Sequence, residues 1–427
     1  MCAVLANAVA RSRVVAVRCV ASALIIAAVG AQPTVAGDGK SRAASSDSAA
    51  VPHTVPSPVE DADLKALARM ARPPLGLPPA PIPEGNPPTL AKVRLGRALF
   101  LDRRLSVNGT LSCAMCHMPE QGFAVNEIQT AVGHEGASLR RNAPTLLNVA
   151  HTGPFFHDGR EPDLDLQPLD VLLNPDEMAM PSLGALESRV RELPPYDRLF
   201  TEAFDSRPTV EAIGKALGTY LRTLLAADSP FDRWHFGGDE GALDEAAKRG
   251  FATFTTRAGC VKCHFIEAGH ALFMDGSFHD TGLGRYNSVV RSSIRKPVMV
   301  ELGPGLIVPM DGVAVRSVGS PPANDLGRYE VTGDPADRWH FKTPGLRNVA
   351  VTAPYMHDGS LGTLREVVEF YRKGGFPHDG IDPLIRPLDL APNEVDDLVR
   401  FLESLTAGNL DELVRDARSE EVRNPGD

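Results

Sequence analysis

Apolar positions along this chain fall into short runs at helical spacing, separated by stretches dense in glycine and proline. With 38 Gly and 36 Pro in 427 residues, helices should be brief and connections long. Between Thr89 and Phe100, Leu90 and Val93 lie one turn apart, with Ala98 and Leu99 further along, which predicts a helix. Thr363-Leu364-Arg365-Glu366 is a capping box. It opens a helix with Leu364, Val367, Val368 and Tyr371 on one face, ended by Gly374-Gly375. Asn393 is expected to cap a last helix that turns Leu398, Phe401, Leu402 and Leu405 inward. Residues 265–340, rich in Gly, Pro and Val, read as loops and short strands. Residues 37–82, rich in Ala, Ser, Pro and Gly, read as a flexible linker, with order beginning near Pro83. Residues 409–427 read as a polar, peripheral tail. The pattern predicts a mainly α protein.

The first residues follow a different pattern. Arg11, Arg13 and Arg18 precede an apolar run from Cys19 to Ala31, shorter than the roughly 20 residues a membrane span needs. Small residues then offer cleavage after Ala31 or Ala36. This predicts a cleaved signal peptide over residues 1–36 and export to the periplasm. With no second run of this kind, the mature protein is expected to be soluble and off the membrane.

Composition narrows the partners. A hydrophobic fraction of 43% and a charged fraction of 23% are those of a globular protein. Aromatics make up 6%, which is low, so an apolar cofactor could supply core volume. The formal net charge is -10, and about -13 once the three leader arginines are removed. That argues against nucleic acid and anionic membrane and suits a basic protein partner.

An internal repeat organises the remainder. Thr145-Leu-Leu-Asn-Val-Ala-His-Thr-Gly-Pro-Phe-Phe-His-Asp-Gly159 matches Gly345-Leu-Arg-Asn-Val-Ala-Val-Thr-Ala-Pro-Tyr-Met-His-Asp-Gly359 at an offset of 200. Ahead of each copy stands a Cys-x-x-Cys-His sequence, Cys113-Ala114-Met115-Cys116-His117 and Cys260-Val261-Lys262-Cys263-His264, at an offset of 147. The second half therefore carries an insertion of 53 residues between its two signatures. Of six cysteines, Cys2 and Cys19 lie in the leader and the other four are in these pairs, leaving none for a disulfide.

Cys-x-x-Cys-His is the attachment signature of haem c: two thiols add to the haem vinyl groups, and the adjacent His reaches the iron as an axial ligand. On the order of 0.002 chance matches are expected in such a chain, so two in register are no accident. A zinc site would need two further ligands at suitable spacing, and a redox dithiol needs no following His. The sequence thus predicts two covalently bound haem c groups.

Taken with the flanking stretches, the chain resembles the bacterial di-haem cytochrome c peroxidase and MauG family. The resemblance covers roughly residues 83–406. It is carried by Leu95-Gly-Arg-Ala-Leu-Phe100, both haem motifs, Arg141-Asn-Ala-Pro144, Phe156-His-Asp-Gly-Arg160, Asn174-Pro-Asp-Glu-Met-Ala-Met-Pro181, and Phe341-Lys-Thr-Pro-Gly-Leu-Arg-Asn-Val-Ala350 with His357-Asp-Gly359. It implies two cytochrome c-like haem domains in tandem, an N-terminal peroxidatic one over 83–240 and a C-terminal electron-transfer one over 241–408, with a homodimer as in the family.

The site residues follow from that resemblance. Cys113, Cys116 and His117 hold the first haem, and Cys260, Cys263 and His264 the second. His134, in Gly133-His134-Glu135-Gly136, matches the removable sixth ligand of the first haem, although a histidine in such a loop could also face solvent. Glu177 and Gln167 match the distal pair: a carboxylate in a dry pocket moves the peroxide proton and an amide orients it. Tyr371 stands where the peroxidases place Met and MauG places Tyr as a ligand to the second haem. It also lies on an apolar helix face, and Met356 is a competing ligand. Asn142, Thr352 and Pro354 match a calcium site of hard oxygen donors between the haems, though Asn142 could simply cap a turn. One departure is plain: the family usually places Trp between the haems, and here that position is His157. The implied activity is reduction of hydrogen peroxide with electrons from a small cytochrome c or copper protein. A MauG-like oxidation of Tyr or Trp on a partner protein and a plain di-haem electron carrier are the alternatives.

Overall fold

Each half of the molecule is built on one crossed pair of helices, and a glycine sets each crossing. Helices are named here in chain order: α1 Pro58–Ala71, α2 Leu90–Leu101, α3 Val210–Arg222, α4 Glu245–Thr255, α5 Leu364–Arg372, α6 Pro392–Glu403 and α7 Leu410–Ala417. The computed structural model describes residues 57–294, 297–311 and 324–420. The expected signal peptide (1–36), the first part of the expected linker (37–56) and the last seven residues lie outside the described residues.

In the first half, Thr89 caps α2 by accepting from the Lys92 amide, and Thr209 caps α3 by accepting from the Ala212 amide. Where α2 crosses α3, a Cβ on Gly96 would stand 2.1 Å from the Ala216 carbonyl oxygen. In the second half α4 crosses α6, and a Cβ on Gly250 would stand 1.9 Å from the carbonyl of Asp397. Only a residue without a side chain allows backbones this close. Around the first crossing, Leu95, Leu99, Phe100, Leu217, Leu221 and Leu225 share one apolar cluster. Around the second, Phe231, Phe254, Phe273, Leu398 and Phe401 share another.

The repeat is structural as well as textual. Asn148 and Asn348 take the left-handed conformation at φ 61° and 62°, Phe156 and Met356 at φ 66° and 73°. Asn148 is clamped to the residues after α3: its Oδ1 accepts from the Ala226 amide at 2.8 Å and its Nδ2 donates to the Ala226 carbonyl at 2.8 Å. Asn348 accepts from the Ala407 amide after α6, also at 2.8 Å. In each half an asparagine thus staples the loop to the end of the second helix of its pair.

Four expectations are corrected. The described part of the expected linker contains α1, started by the Ser57 side chain and Pro58. It buries Ala62, Ala66 and Met70, and its Asp63 binds Arg97 of α2 at 2.6 Å, both fully buried. Residues 410–417 are not a loose tail but α7, which buries Leu413 and Ala417 in the first cluster and pairs Glu412 and Asp416 with Arg69 of α1 at 2.5 and 2.7 Å. Helix α6 is started by Ala391, Pro392 and the Glu394 carboxylate, which accepts the Ala391 amide at 2.9 Å; Asn393 lies inside its first turn, and α6 is followed by another helix. The region 265–340 does hold short strands, β1 Phe278–His279 and the antiparallel hairpin of β2 Pro297–Gly303 and β3 Leu306–Asp311, but also a twelve-residue helix, Leu283–Ile294. β1 pairs with β4, Phe341–Lys342. The predicted α2 and the capping box of α5 stand as expected. Among the described residues no helix is long and apolar enough to cross a membrane.

Candidate haem-binding active site

The two Cys-x-x-Cys-His sequences form tight turns that end on a half-buried imidazole. Cys113–Cys116 make one helical turn, and the His117 amide donates to the Cys113 carbonyl at 2.9 Å. Cys260–Lys262 make a 3-10 turn, and His264 donates likewise to Cys260 at 2.9 Å. Each ring is then anchored on backbone carbonyls. His117 Nδ1 lies 3.2 Å from the Phe123 oxygen and His264 Nδ1 lies 2.7 Å from the Phe273 oxygen. Phe123 and Phe273 hold the same left-handed φ of 54°, which turns their carbonyls toward the rings. With the proton on Nδ1, each Nε2 keeps a lone pair for a metal. Burial lowers both histidines, His117 to about 4, so they are neutral at pH 7.

The four thiols are unpaired with one another. Burial pushes Cys113 and Cys260 up to about 12 and Cys116 to about 11. A redox dithiol needs a thiol shifted the other way, toward thiolate. Near the second pair, Cys263, Asp275 and His279 bring ligand atoms within 4.8 Å of one another. His279 is already bonded to Asp275 at 2.8 Å and to Asp382 at 2.6 Å, so this is a carboxylate-held imidazole rather than a four-donor zinc site. Two Cys-x-x-Cys turns, each followed at once by a neutral, carbonyl-anchored imidazole, fit covalent haem.

Of the residues expected around the first haem, Glu177 and His134 are brought together. Glu177 follows the Asn174 turn, whose side chain bonds its carboxylate. Its Oε2 is buried without a hydrogen-bond partner. Burial raises this carboxyl to about 7, against a smaller downward pull from Arg160 and the Asn174 bond. Its charge in turn raises Cys113 and Cys116, which places it beside the first attachment site. The His134 amide donates to the carbonyls of Asp176 and Glu177, both at 3.1 Å, so the two loops abut. The His134 ring stands 3.4 Å from Asn108 Nδ2. Gln167 opens the helix Gln167–Leu173, half-buried.

Tyr371 stands near the end of α5, and burial and the Cys260 and Cys263 sulfurs raise its phenol well above the usual range. The tyrosine therefore lies near the second attachment site.

Between the halves, His157 Nε2 donates to the Asn142 carbonyl at 3.0 Å, and burial holds its ring neutral, at about 4. Asn142 is buried; its Nδ2 donates to the Gln129 carbonyl at 3.1 Å, leaving Oδ1 as an acceptor. The sequence reading did not single out Phe123, Phe273, Asn174 or Arg160. The first two act through backbone carbonyls, which no side-chain pattern advertises. Arg160 was visible as the last residue of the Phe156–Arg160 stretch, but its charge on Glu177 is a matter of folding.

Comparison with known proteins agrees with this geometry. Residues 90–240 match the family model described as di-haem cytochrome c peroxidase. The chain is 39% identical to methylamine utilization protein MauG of Methylorubrum extorquens, over 81% of this chain and 86% of that protein. It is 36% identical to cytochrome-c peroxidase IdrP1 of Pseudomonas sp. (strain SCT), over 79% and 86%. Among solved structures, a MauG-like protein associated with microbial copper homeostasis aligns with TM-score 0.64 and 31% identity, over 79% of this chain and 96% of that one. Two attachment motifs and a likeness over 79–81% of the chain lead to one conclusion: the chain belongs to the di-haem cytochrome c peroxidase family, oxidoreductases with two haem c groups that use peroxide.

Proposed function

We propose that this protein is a periplasmic peroxidase that reduces hydrogen peroxide with electrons from a small cytochrome c or copper protein. The observation that carries the reading is Glu177: a carboxyl beside Cys113 and Cys116, raised to about 7 by burial, with one oxygen unbonded. When bound, the two haem groups supply the redox chemistry that turns peroxide, with two electrons and two protons, into two waters. The chain's own residues manage the protons. The Glu177 carboxylate takes the proton of the attacking peroxide oxygen and returns it to the departing one, a task best done by an acid poised near neutrality. Gln167 orients the peroxide by hydrogen bond. With haem bound, His134 would serve as the removable ligand of the first iron, and its Gly-flanked loop suits that role. His264 and Tyr371 would hold the second iron when haem is bound; a phenolate would favour the oxidised metal, where Met would raise the potential. Asn142 Oδ1 and the carbonyls of Thr352 and Pro354 are the hard oxygen donors that would hold one calcium ion. The leader pattern of residues 1–36 supports export.

Peroxide consumption by holo-protein, assayed diferric and after one-electron reduction with a reduced cytochrome c as donor, tests this. No consumption in either state refutes it.

A second reading has one observation in its favour. The Tyr371 phenol lies near the Cys260 and Cys263 sulfurs, which suits MauG-like oxidation of a partner protein's Tyr or Trp. His157 at the usual Trp position counts against it. Mass spectrometry of a candidate partner after peroxide treatment separates the two, because an unmodified partner rules the second reading out.

A further inference from the structure

The pseudo-symmetry between the halves extends to one pair of positions with unlike residues. Asn142 and Lys342 correspond at the repeat offset of 200. Their backbones do the same thing: the Asn142 amide donates to the His357 carbonyl at 2.8 Å, and the Lys342 amide donates to the His157 carbonyl at 2.8 Å. Each residue therefore enters the opposite half's loop at the same point. There the side chains part. Lys342 sends its ammonium onto two backbone oxygens, Thr152 O at 2.5 Å and Pro154 O at 2.6 Å. Those oxygens are the mates, at the same offset, of Thr352 O and Pro354 O, the two carbonyls in the proposed calcium site beside Asn142.

Nothing else accounts for the lysine. It forms no ion pair with a carboxylate of the described residues; Asp158, the acid whose charge it feels, is taken by Arg141 at 2.6 Å and Arg160 at 3.2 Å. Burial lowers its ammonium to about 8, so it remains largely charged at pH 7. A desolvated ammonium without a counter-ion is costly, and two convergent carbonyl dipoles are its compensation. That is how a protein treats a coordinated cation.

We propose that the Lys342 ammonium is a tethered cation filling the pseudo-symmetric mate of the Asn142–Thr352–Pro354 site, so that the loop through Thr152 and Pro154 is a second cation-binding loop closed by the protein's own side chain. A lysine makes the first loop independent of free metal, and a neutral asparagine leaves the second open to it. The inference rests on the cation reading at Asn142 for its comparison but not for its test.

The test is the calcium content of desalted holo-protein by inductively coupled plasma mass spectrometry, with thermal unfolding before and after chelation. Lys342→Asn removes the ammonium and offers the amide oxygen its mate offers. It should bind one calcium ion per chain more than the wild type, and chelation should lower its unfolding midpoint, with recovery on adding calcium. An unchanged calcium count with a wild-type midpoint in chelator overturns the proposal. Should Lys342→Asn not fold, the reciprocal Asn142→Lys decides: it should bind one calcium ion fewer than the wild type and become indifferent to chelation, and full retention of calcium overturns the equivalence. The wild-type count reads the Asn142 site separately. A wild type without calcium, beside a gain in Lys342→Asn, would remove the calcium reading and keep the tethered cation.

Discussion

The backbone amide of His134 donates to the carbonyl of Glu177 at 3.1 Å. The histidine proposed to leave the first iron and the acid proposed to act there are thus mechanically joined. Replacing His134 by Ala should leave the first haem without its sixth ligand. Electron paramagnetic resonance of the diferric variant should show a high-spin signal, and peroxide should be consumed without prior reduction. A wild-type spectrum would show that His134 is no ligand.

Glu177→Gln keeps the shape and removes the base. Peroxide turnover should fall on the order of a hundred- to ten-thousand-fold. The carboxyl is raised to about 7, so the proton is held below that pH and the active carboxylate forms above it. Wild-type kcat/KM should therefore climb as pH rises through about 7, and the variant should lose that limb. Steady-state rates across neutrality check this; turnover equal to the wild type would favour a plain electron carrier.

Tyr371→Met should raise the potential of the second haem, since thioether ligation favours the reduced metal. Tyr371→Phe should alter its low-spin signature outright. Redox titration and low-temperature spectra of the two variants decide, and unchanged spectra in both would hand the ligand position to Met356.

Asp63→Ala tests the packing of α1. Asp63 and Arg97 are both fully buried. Burial outweighs the pull of Arg97 and Arg94, so the Asp63 carboxyl sits above its ordinary range. The pair fixes where α1 lies more than it adds stability, yet leaving Arg97 buried alone should cost about 3–5 kcal/mol. Denaturant unfolding of the holo-protein measures it; a loss under about 1 kcal/mol would mean that α1 is not held there.

What could be read from the letters was whatever is local. The haem motifs and the Thr363–Glu366 capping box each lie within a few residues, and the repeat is a match of letters at an offset of 200; none needs tertiary context. Helix α1 escaped because its buried positions, Ala62, Ala66 and Met70, are mostly alanines among prolines, a composition shared with linkers. Helix α7 escaped because Asp411, Glu412, Arg415 and Asp416 outweigh the two residues it buries. The two segments identify each other only once Arg69 meets Glu412 and Asp416 across 343 and 347 positions. Lys342 escaped for the same reason, since its partners are carbonyls some 190 residues upstream. Glu177 was legible as a residue, but its shift in acidity depends on burial that only the fold supplies.

The clasp between α1 and α7 bears on maturation. Leu413 and Ala417 complete the same apolar cluster as Leu95 and Phe100. Arg418 reaches Glu120, three residues beyond His117, through two hydrogen bonds of 2.6 and 2.7 Å. Residues that follow the whole second half therefore pack against the segment just after the first attachment turn. A chain still emerging can carry both cysteine pairs and yet lack a closed first core, so the first haem should gain its final environment only after the second half is complete. The two centres would come into service together, and a truncated product would be a poor peroxide catalyst even with both haems attached.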